Sequence, residues 1–88
     1  MGAYTVYVLQ NVRGRFYIGL TDSVARRLQD HNSGISTWTR HRGPWALLWT
    51  SEAISLSDAR KLENFLKRQK AGSGFFKYTG LSRPNTDS

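Results

Sequence analysis

Tyr17, Arg27 and His31 fall within one short stretch, Tyr17 to Asn32, which reads YIGLTDSVARRLQDHN. A phenol and an imidazole can carry protons, and a guanidinium fork can hold an anion. At about 100° per residue, Val24 and Leu28 set a narrow apolar stripe, with Ala25 on one flank and Arg27 and His31 together on the other. Arg27 and His31 stand one helical turn apart and share a face. Arg26 points away from the core, so Arg27 is the arginine expected to face the strand carrying Tyr17. A plainer reading uses the same residues: a packed strand-end tyrosine, an arginine paired with a nearby acid, and a half-buried histidine. Spacing alone leaves both readings open.

The elements that must position this cluster follow from pattern. Tyr4 to Leu9 alternates and is rich in β-branched and aromatic residues, so it reads as a strand. Asn11 to Gly14 supplies turn chemistry, and Arg15 to Gly19 returns as a second strand, making a hairpin. Tyr7 and Tyr17 can then share a sheet face, depending on a register that the sequence leaves open. Asp22 is a candidate N-cap for a helix over Ser23 to Asn32. Ser33 to Pro44 lacks periodicity and reads as a loop, and within it Thr37 to Arg42 interleaves Trp38 with basic groups and hydroxyls, a composition that grips phosphates. The alternative for Trp38 is a plug at the domain edge.

Trp45 to Ser51 reads as a third strand, apolar enough to be central. Ser55 to Ala71 reads as a second long helix, with Ser55 or Ser57 as N-cap and Gly72 as its stop. Ala59, Leu62 and Leu66 form its core stripe, and Glu63 falls at the margin of that stripe. A carboxylate there needs a partner, which either Lys67 one turn on or a metal ion would supply. Phe75 to Tyr78 is either a short third helix or an apolar flap. The expected fold is a small α/β (α+β) domain over residues 1–81, a three-stranded, mostly antiparallel sheet flanked by helices, followed by a polar tail over 82–88.

Composition narrows the classes. Eighty-eight residues make one small domain, near the lower limit for a self-supporting core. With no cysteine, disulfides and thiolate metal sites are excluded. No segment approaches a membrane span and no secretory leader is visible, so a cytoplasmic location without membrane partners is expected. Thirteen Lys and Arg against six Asp and Glu give a net charge of +7, a field that favours polyanions. The charges sit at three loci: Arg13 and Arg15, Arg40 and Arg42, and Lys67, Arg68 and Lys70. Separated basic loci suit a phosphate backbone better than a membrane anchor.

Taken together, Thr5-Val6-Tyr7, Tyr17-Ile18-Gly19, Arg27, His31-Asn32 and Glu63 resemble the GIY-YIG nuclease superfamily, over residues 4 to about 70. Thr39-Arg40 and Gly43-Pro44-Trp45 are similar to the small single-domain bacterial members and to the catalytic domain of Slx1 structure-specific nucleases. The resemblance implies a DNA endonuclease using one Mg²⁺ or Mn²⁺ held by Glu63, with Arg27 bracing the scissile phosphate. Tyr17, or Tyr7, would take the proton of the attacking water, and His31 would orient a tyrosine. DNA contacts are expected from Arg15, Trp38, Thr39, Arg40, Arg42 and Lys67, and the cut would leave a 5′-phosphate and a 3′-hydroxyl.

Three departures stand out. The first motif keeps its tyrosine but has Thr5 in place of glycine, Leu20 occupies a position where some members carry lysine, and no asparagine matches the late catalytic one of other members. The chain also lacks the zinc-binding module with which Slx1 enzymes dock their partner, so the resemblance to them reaches only the nuclease domain, and a protein partner that supplies targeting is a further expectation. Two non-enzymatic classes compete with the nuclease: a basic nucleic-acid-binding module on the same fold, and an adaptor presenting Trp38 and Phe75-Phe76.

Overall fold

The computed structural model describes residues 2–34, 43–69 and 72–81. Its elements run β1 (Thr5–Asn11), β2 (Phe16–Thr21), α1 (Val24–Ser33), β3 (Trp45–Thr50), α2 (Leu56–Gln69) and α3 (Ser73–Thr79). The sheet order is β2-β1-β3, with both pairings antiparallel. This is the expected three-stranded antiparallel sheet flanked by helices, an α+β fold.

The expectation that Trp45 to Ser51 forms the central strand is overturned. β1 is central, and β3 is an edge that leaves Ala46, Leu47 and Leu48 exposed. An apolar run does not by itself make a strand central; burial on both faces does. β1 meets that condition: Val6, Tyr7, Val8 and Leu9 are all buried. The β1–β3 register shifts between Val8 and Leu9, whose partners are Trp49 and Leu47, so Leu48 is the extra residue of an edge bulge. Such bulges blunt an open edge.

Strand alternation divides the core into two layers. Val6, Val8 and Ile18 point to one face, where Ala59 and Leu66 of α2 and Phe75 and Phe76 of α3 cover them. Tyr7, Leu9 and Trp45 point to the other, against Val24 and Leu28 of α1. Phe75-Phe76 therefore belongs to a helix packed on the sheet, with Phe16 5.2 Å from Phe75 between ring centroids. Burying such a phenylalanine contributes about 1.5–3 kcal/mol.

Turn chemistry sets the hairpin. Asn11 Oδ1 accepts from the amides of Arg13 and Arg15 at 3.0 and 2.9 Å, and Gly14 supplies the positive φ of 84° that closes the turn. At the other end of β2, Thr21 Oγ1 accepts from the Ser23 amide at 3.0 Å and turns the chain into α1. Ser23, not Asp22, is the N-cap of α1: its side chain accepts from the Arg26 amide. Asp22 instead pairs with Arg26 at 2.9 Å, because a carboxylate one residue before the cap reaches the side chain of the first turn more readily than its amides. Ser55 caps α2 by accepting from the Asp58 amide at 3.1 Å.

Candidate active site

Register brings the two tyrosines together. Tyr7 pairs with Gly19 and Leu9 with Tyr17, so Tyr7 and Tyr17 are diagonal neighbours on one face, with ring centroids 6.2 Å apart. Gly19 is the condition for this arrangement. A Cβ at that position would stand 2.7 Å from Tyr7 Oη and 2.8 Å from Tyr7 Cζ, so the Tyr7 ring occupies the space that a side chain would fill. The Tyr-Ile-Gly sequence thus reads physically as a ring, a core residue on the opposite face, and the gap into which the neighbouring ring folds.

α1 closes over this pair. His31 Nε2 lies 2.9 Å from Tyr7 Oη, and the His31 ring meets Tyr17 edge-on at 4.6 Å between centroids. His31 is 1% exposed and Tyr7 is also 1% exposed. Arg27, one turn before His31, lies close enough to Tyr7 for each to influence the other's protonation, and it pairs with Asp30 at 3.2 Å. The guanidinium can only donate, so toward Arg27 the Tyr7 oxygen is an acceptor, and a Tyr7 that keeps its proton can donate it to Nε2 of His31.

The electrostatics agree with that assignment. Burial pushes the Tyr7 phenol up to about 12, against the Arg27 hydrogen bond, with smaller upward contributions from Tyr17 and Glu63. Tyr7 is therefore a protonated phenol at neutral pH. Burial first, and the Arg27 charge second, hold His31 below the ordinary imidazole range, with Asp30 opposing them. The neighbouring Tyr7, more than any other group, pushes the Arg27 guanidinium above its ordinary value.

Glu63 comes from α2, across the sheet, yet its charge registers at Tyr7. Its side chain is 17% exposed, and Oε2 pairs with Lys67 Nζ at 3.1 Å. Of the two partners that the sequence allowed Glu63, the lysine is the one in contact. Lys67 is half exposed, and ion pairs of this kind contribute less than about 1 kcal/mol, so a divalent ion would displace it at little cost. Among the described residues no three of His, Cys, Asp or Glu form a cluster able to hold a metal. A single hard carboxylate fits an ion such as Mg²⁺, which keeps several waters and takes substrate phosphate oxygens. It does not fit a zinc cage.

The structure thus groups Tyr7, Tyr17, Arg27 and His31, with Glu63 within electrostatic range. Arg15 is exposed at the hairpin end, and Lys67 is exposed beside Glu63. Trp38, Thr39, Arg40 and Arg42 lie outside the described residues. Two residues that the resemblance includes without a site role contribute as well. Asn32 brackets the start of β3, its Oδ1 accepting from the Trp45 amide at 2.7 Å and its Nδ2 donating to the Trp45 carbonyl at 3.0 Å. Trp45, 3% exposed, then walls the cluster edge-on to Tyr17 at 6.2 Å. The sequence showed Asn32 beside His31, but its partner lies 13 residues away.

Nearly the whole chain matches one family model, described as the GIY-YIG catalytic domain. The family model of that description matches residues 3–79, and the chain belongs to this family of the nuclease superfamily. Among its relatives, a UPF0213 protein of Streptococcus pneumoniae serotype 4 is 41% identical over 66 residues, covering 74% of this chain and 67% of that protein. A UPF0213 protein of Desulfotalea psychrophila is 35% identical over 68 residues, 75% of this chain and 62% of that one. The human structure-specific endonuclease subunit SLX1 is 44% identical over 52 residues, 53% of this chain and 19% of that subunit. The solution NMR structure of a UPF0213 protein from Bacillus halodurans is 33% identical with a TM-score of 0.47, covering 92% of this chain and 98% of that one. The chain spans about two thirds or less of the length of these curated bacterial relatives, and a fifth of SLX1. No helix among the described residues is long and apolar enough to cross a membrane.

Proposed function

We propose that this chain is a divalent-metal-dependent endonuclease that hydrolyses DNA phosphodiester bonds in the cytoplasm. The observation that carries the reading is the Tyr7–His31 hydrogen bond of 2.9 Å beneath Arg27 and beside Tyr17, in a chain of the GIY-YIG family. Branched or flapped DNA is the substrate class we favour, by the likeness to a structure-specific endonuclease subunit. A protein partner that targets the activity is part of the same proposal.

Burial divides the work between the two phenols. Tyr7 is enclosed and holds its proton, so it serves to fix His31, to which its hydroxyl donates, beside Arg27 rather than as a base. Tyr17 is only half buried and, acting as its phenolate, is the group that takes the proton of the attacking water. As the water oxygen bonds to phosphorus, the bond to the 3′ oxygen breaks, and that oxygen takes up a proton from solvent water to leave a 3′-hydroxyl and a 5′-phosphate. Arg27, already protonated and braced by Asp30, donates to the phosphate oxygens as charge builds on them. Glu63 would hold Mg²⁺ or Mn²⁺, and a bound divalent ion supplies charge neutralisation and a lower pKa for a bound water. Arg15, Lys67, Trp38, Thr39, Arg40 and Arg42 would grip the substrate.

The test is cleavage of flap, fork, nicked and plain duplex DNA with Mg²⁺ or Mn²⁺, beside a chelator and beside Glu63→Ala. The expected result is cutting that requires the ion and is lost in the variant while DNA binding survives. Binding without cutting by the wild-type chain in any ion would replace the enzyme with a basic nucleic-acid-binding module. Cutting that persists in Glu63→Ala would remove the carboxylate from the metal.

A further inference from the structure

We infer that the solvent face of α2 is a rail for the phosphate backbone of duplex DNA, a reading that rests on the proposed nuclease activity and names its substrate class. At about 100° per residue, Ser57, Arg60, Lys61, Asn64, Lys67 and Arg68 fall within an arc of about 120°, and all six are exposed. The buried Ala59 and Leu66 lie on the opposite side of the helix. The acidic residues of α2, Asp58 and Glu63, both fall outside the arc.

The cations of this face are available. Among the described residues, Arg60, Lys61 and Arg68 have no carboxylate within ion-pair distance, and only Lys67 is shared, with Glu63 at 3.1 Å. A stability role does not account for them, since unpaired like charges on one face repel. Their placement suits a backbone. Arg60 and Lys61 form one row and Lys67 and Arg68 another, seven residues on and so about 10.5 Å along the axis. That separation is close to the roughly 12 Å width of a major groove, so the two rows can meet phosphates on either side of it.

The composition selects duplex over single strands. Single-strand binding draws on aromatic platforms for unstacked bases, and none of the six positions is aromatic. Arginine, lysine, serine and asparagine are the phosphate-contacting types that set orientation without reading sequence. Lys67 links the rail to Glu63, so a duplex lying along α2 leads to the carboxylate that would hold the metal.

The test compares two variants that each lower the charge by two. Arg60→Gln/Arg68→Gln removes one cation from each row, and Arg26→Gln/Gln29→Glu makes the same change on the exposed surface of α1, across the sheet. Binding to an unbranched duplex is measured in chelator as a function of salt, alongside a single strand of equal length and anionic phospholipid vesicles. Thermal unfolding checks that both variants are folded. Each phosphate contact contributes about 0.9 to the slope of log K against log salt, so the α2 variant should lose roughly 2 from the duplex slope and at least tenfold in affinity, with the α1 variant near wild type.

Equal slopes in the two variants, with wild-type cleavage intact, would overturn the rail and leave the nuclease reading standing. A wild-type chain that neither binds nor cuts any DNA would overturn both. Loss confined to the single strand, or to vesicles, would overturn the duplex assignment.

Discussion

Replacing Gly19 with alanine probes the geometry on which the site depends. The new Cβ would sit 2.7 Å from Tyr7 Oη, whereas ordinary contact begins near 3.4 Å, so the ring must withdraw by about 0.7 Å. A flexible side chain would absorb this, but Tyr7 is 1% exposed and tied to His31 at 2.9 Å. A displacement of that size opens or compresses the hydrogen bond beyond its useful range. Overpacking of this kind costs about 1–3 kcal/mol, and the hydrogen bond adds about 1 kcal/mol. Alanine regains roughly 0.5–1 kcal/mol by stiffening the unfolded chain, too little to reverse the sign. With about 4–8 °C per kcal/mol for a domain of this size, Gly19→Ala should lower the midpoint of thermal unfolding by roughly 10 °C. In a Tyr7→Phe background the ring is freed from His31 and Arg27, so the double variant should lose at least about 0.5 kcal/mol less than the sum of the single ones. An unchanged midpoint in Gly19→Ala, or strict additivity with Tyr7→Phe, would refute the packing argument.

Three further outcomes follow from the same cluster. His31 is held below its unfolded value of 6.5, so the unfolded chain binds a proton first as pH falls: the urea midpoint should drop as pH falls below about 6.5, and His31→Gln should flatten that limb. Tyr7 titrates near 12 instead of 10, so between these values the unfolded chain loses a proton that the folded one keeps. Stability should then fall by up to about 1.4 kcal/mol per pH unit, a slope that spectrophotometric phenolate titration and alkaline unfolding should both find missing in Tyr7→Phe. Asn32→Ala removes both bonds to the Trp45 backbone and should cost about 1–3 kcal/mol, with faster hydrogen exchange at the Trp45 amide as the local readout.

Much of this was legible in the residues. The hairpin followed from Asn11 and Gly14, α1 from the Val24–Leu28 stripe, and the shared face of Arg27 and His31 from one turn of helix, all local relations. What stayed hidden were relations between elements. The pairing of Tyr7 with Gly19 is a register, and a strand's own sequence does not state it. The apolar content of Trp45 to Thr50 pointed to a central strand because hydrophobicity does not reveal how many neighbours a strand has. Asp22 and Ser23 are both good caps, and only the geometry of the turn from Thr21 chose between them. The division between the two tyrosines needed burial, which encloses Tyr7 and leaves Tyr17 half open.

The proposed hydrolysis depends on Tyr17, not Tyr7, receiving the proton while Arg27 holds the phosphate. The direct measurement is the single-turnover cleavage rate of Tyr17→Phe on the best substrate, with its DNA affinity measured in parallel. General-base catalysis contributes about 10²–10⁴-fold, so the rate should fall at least a hundredfold while affinity stays at the wild-type value. A Tyr17→Phe variant that cuts at the wild-type rate would contradict the account.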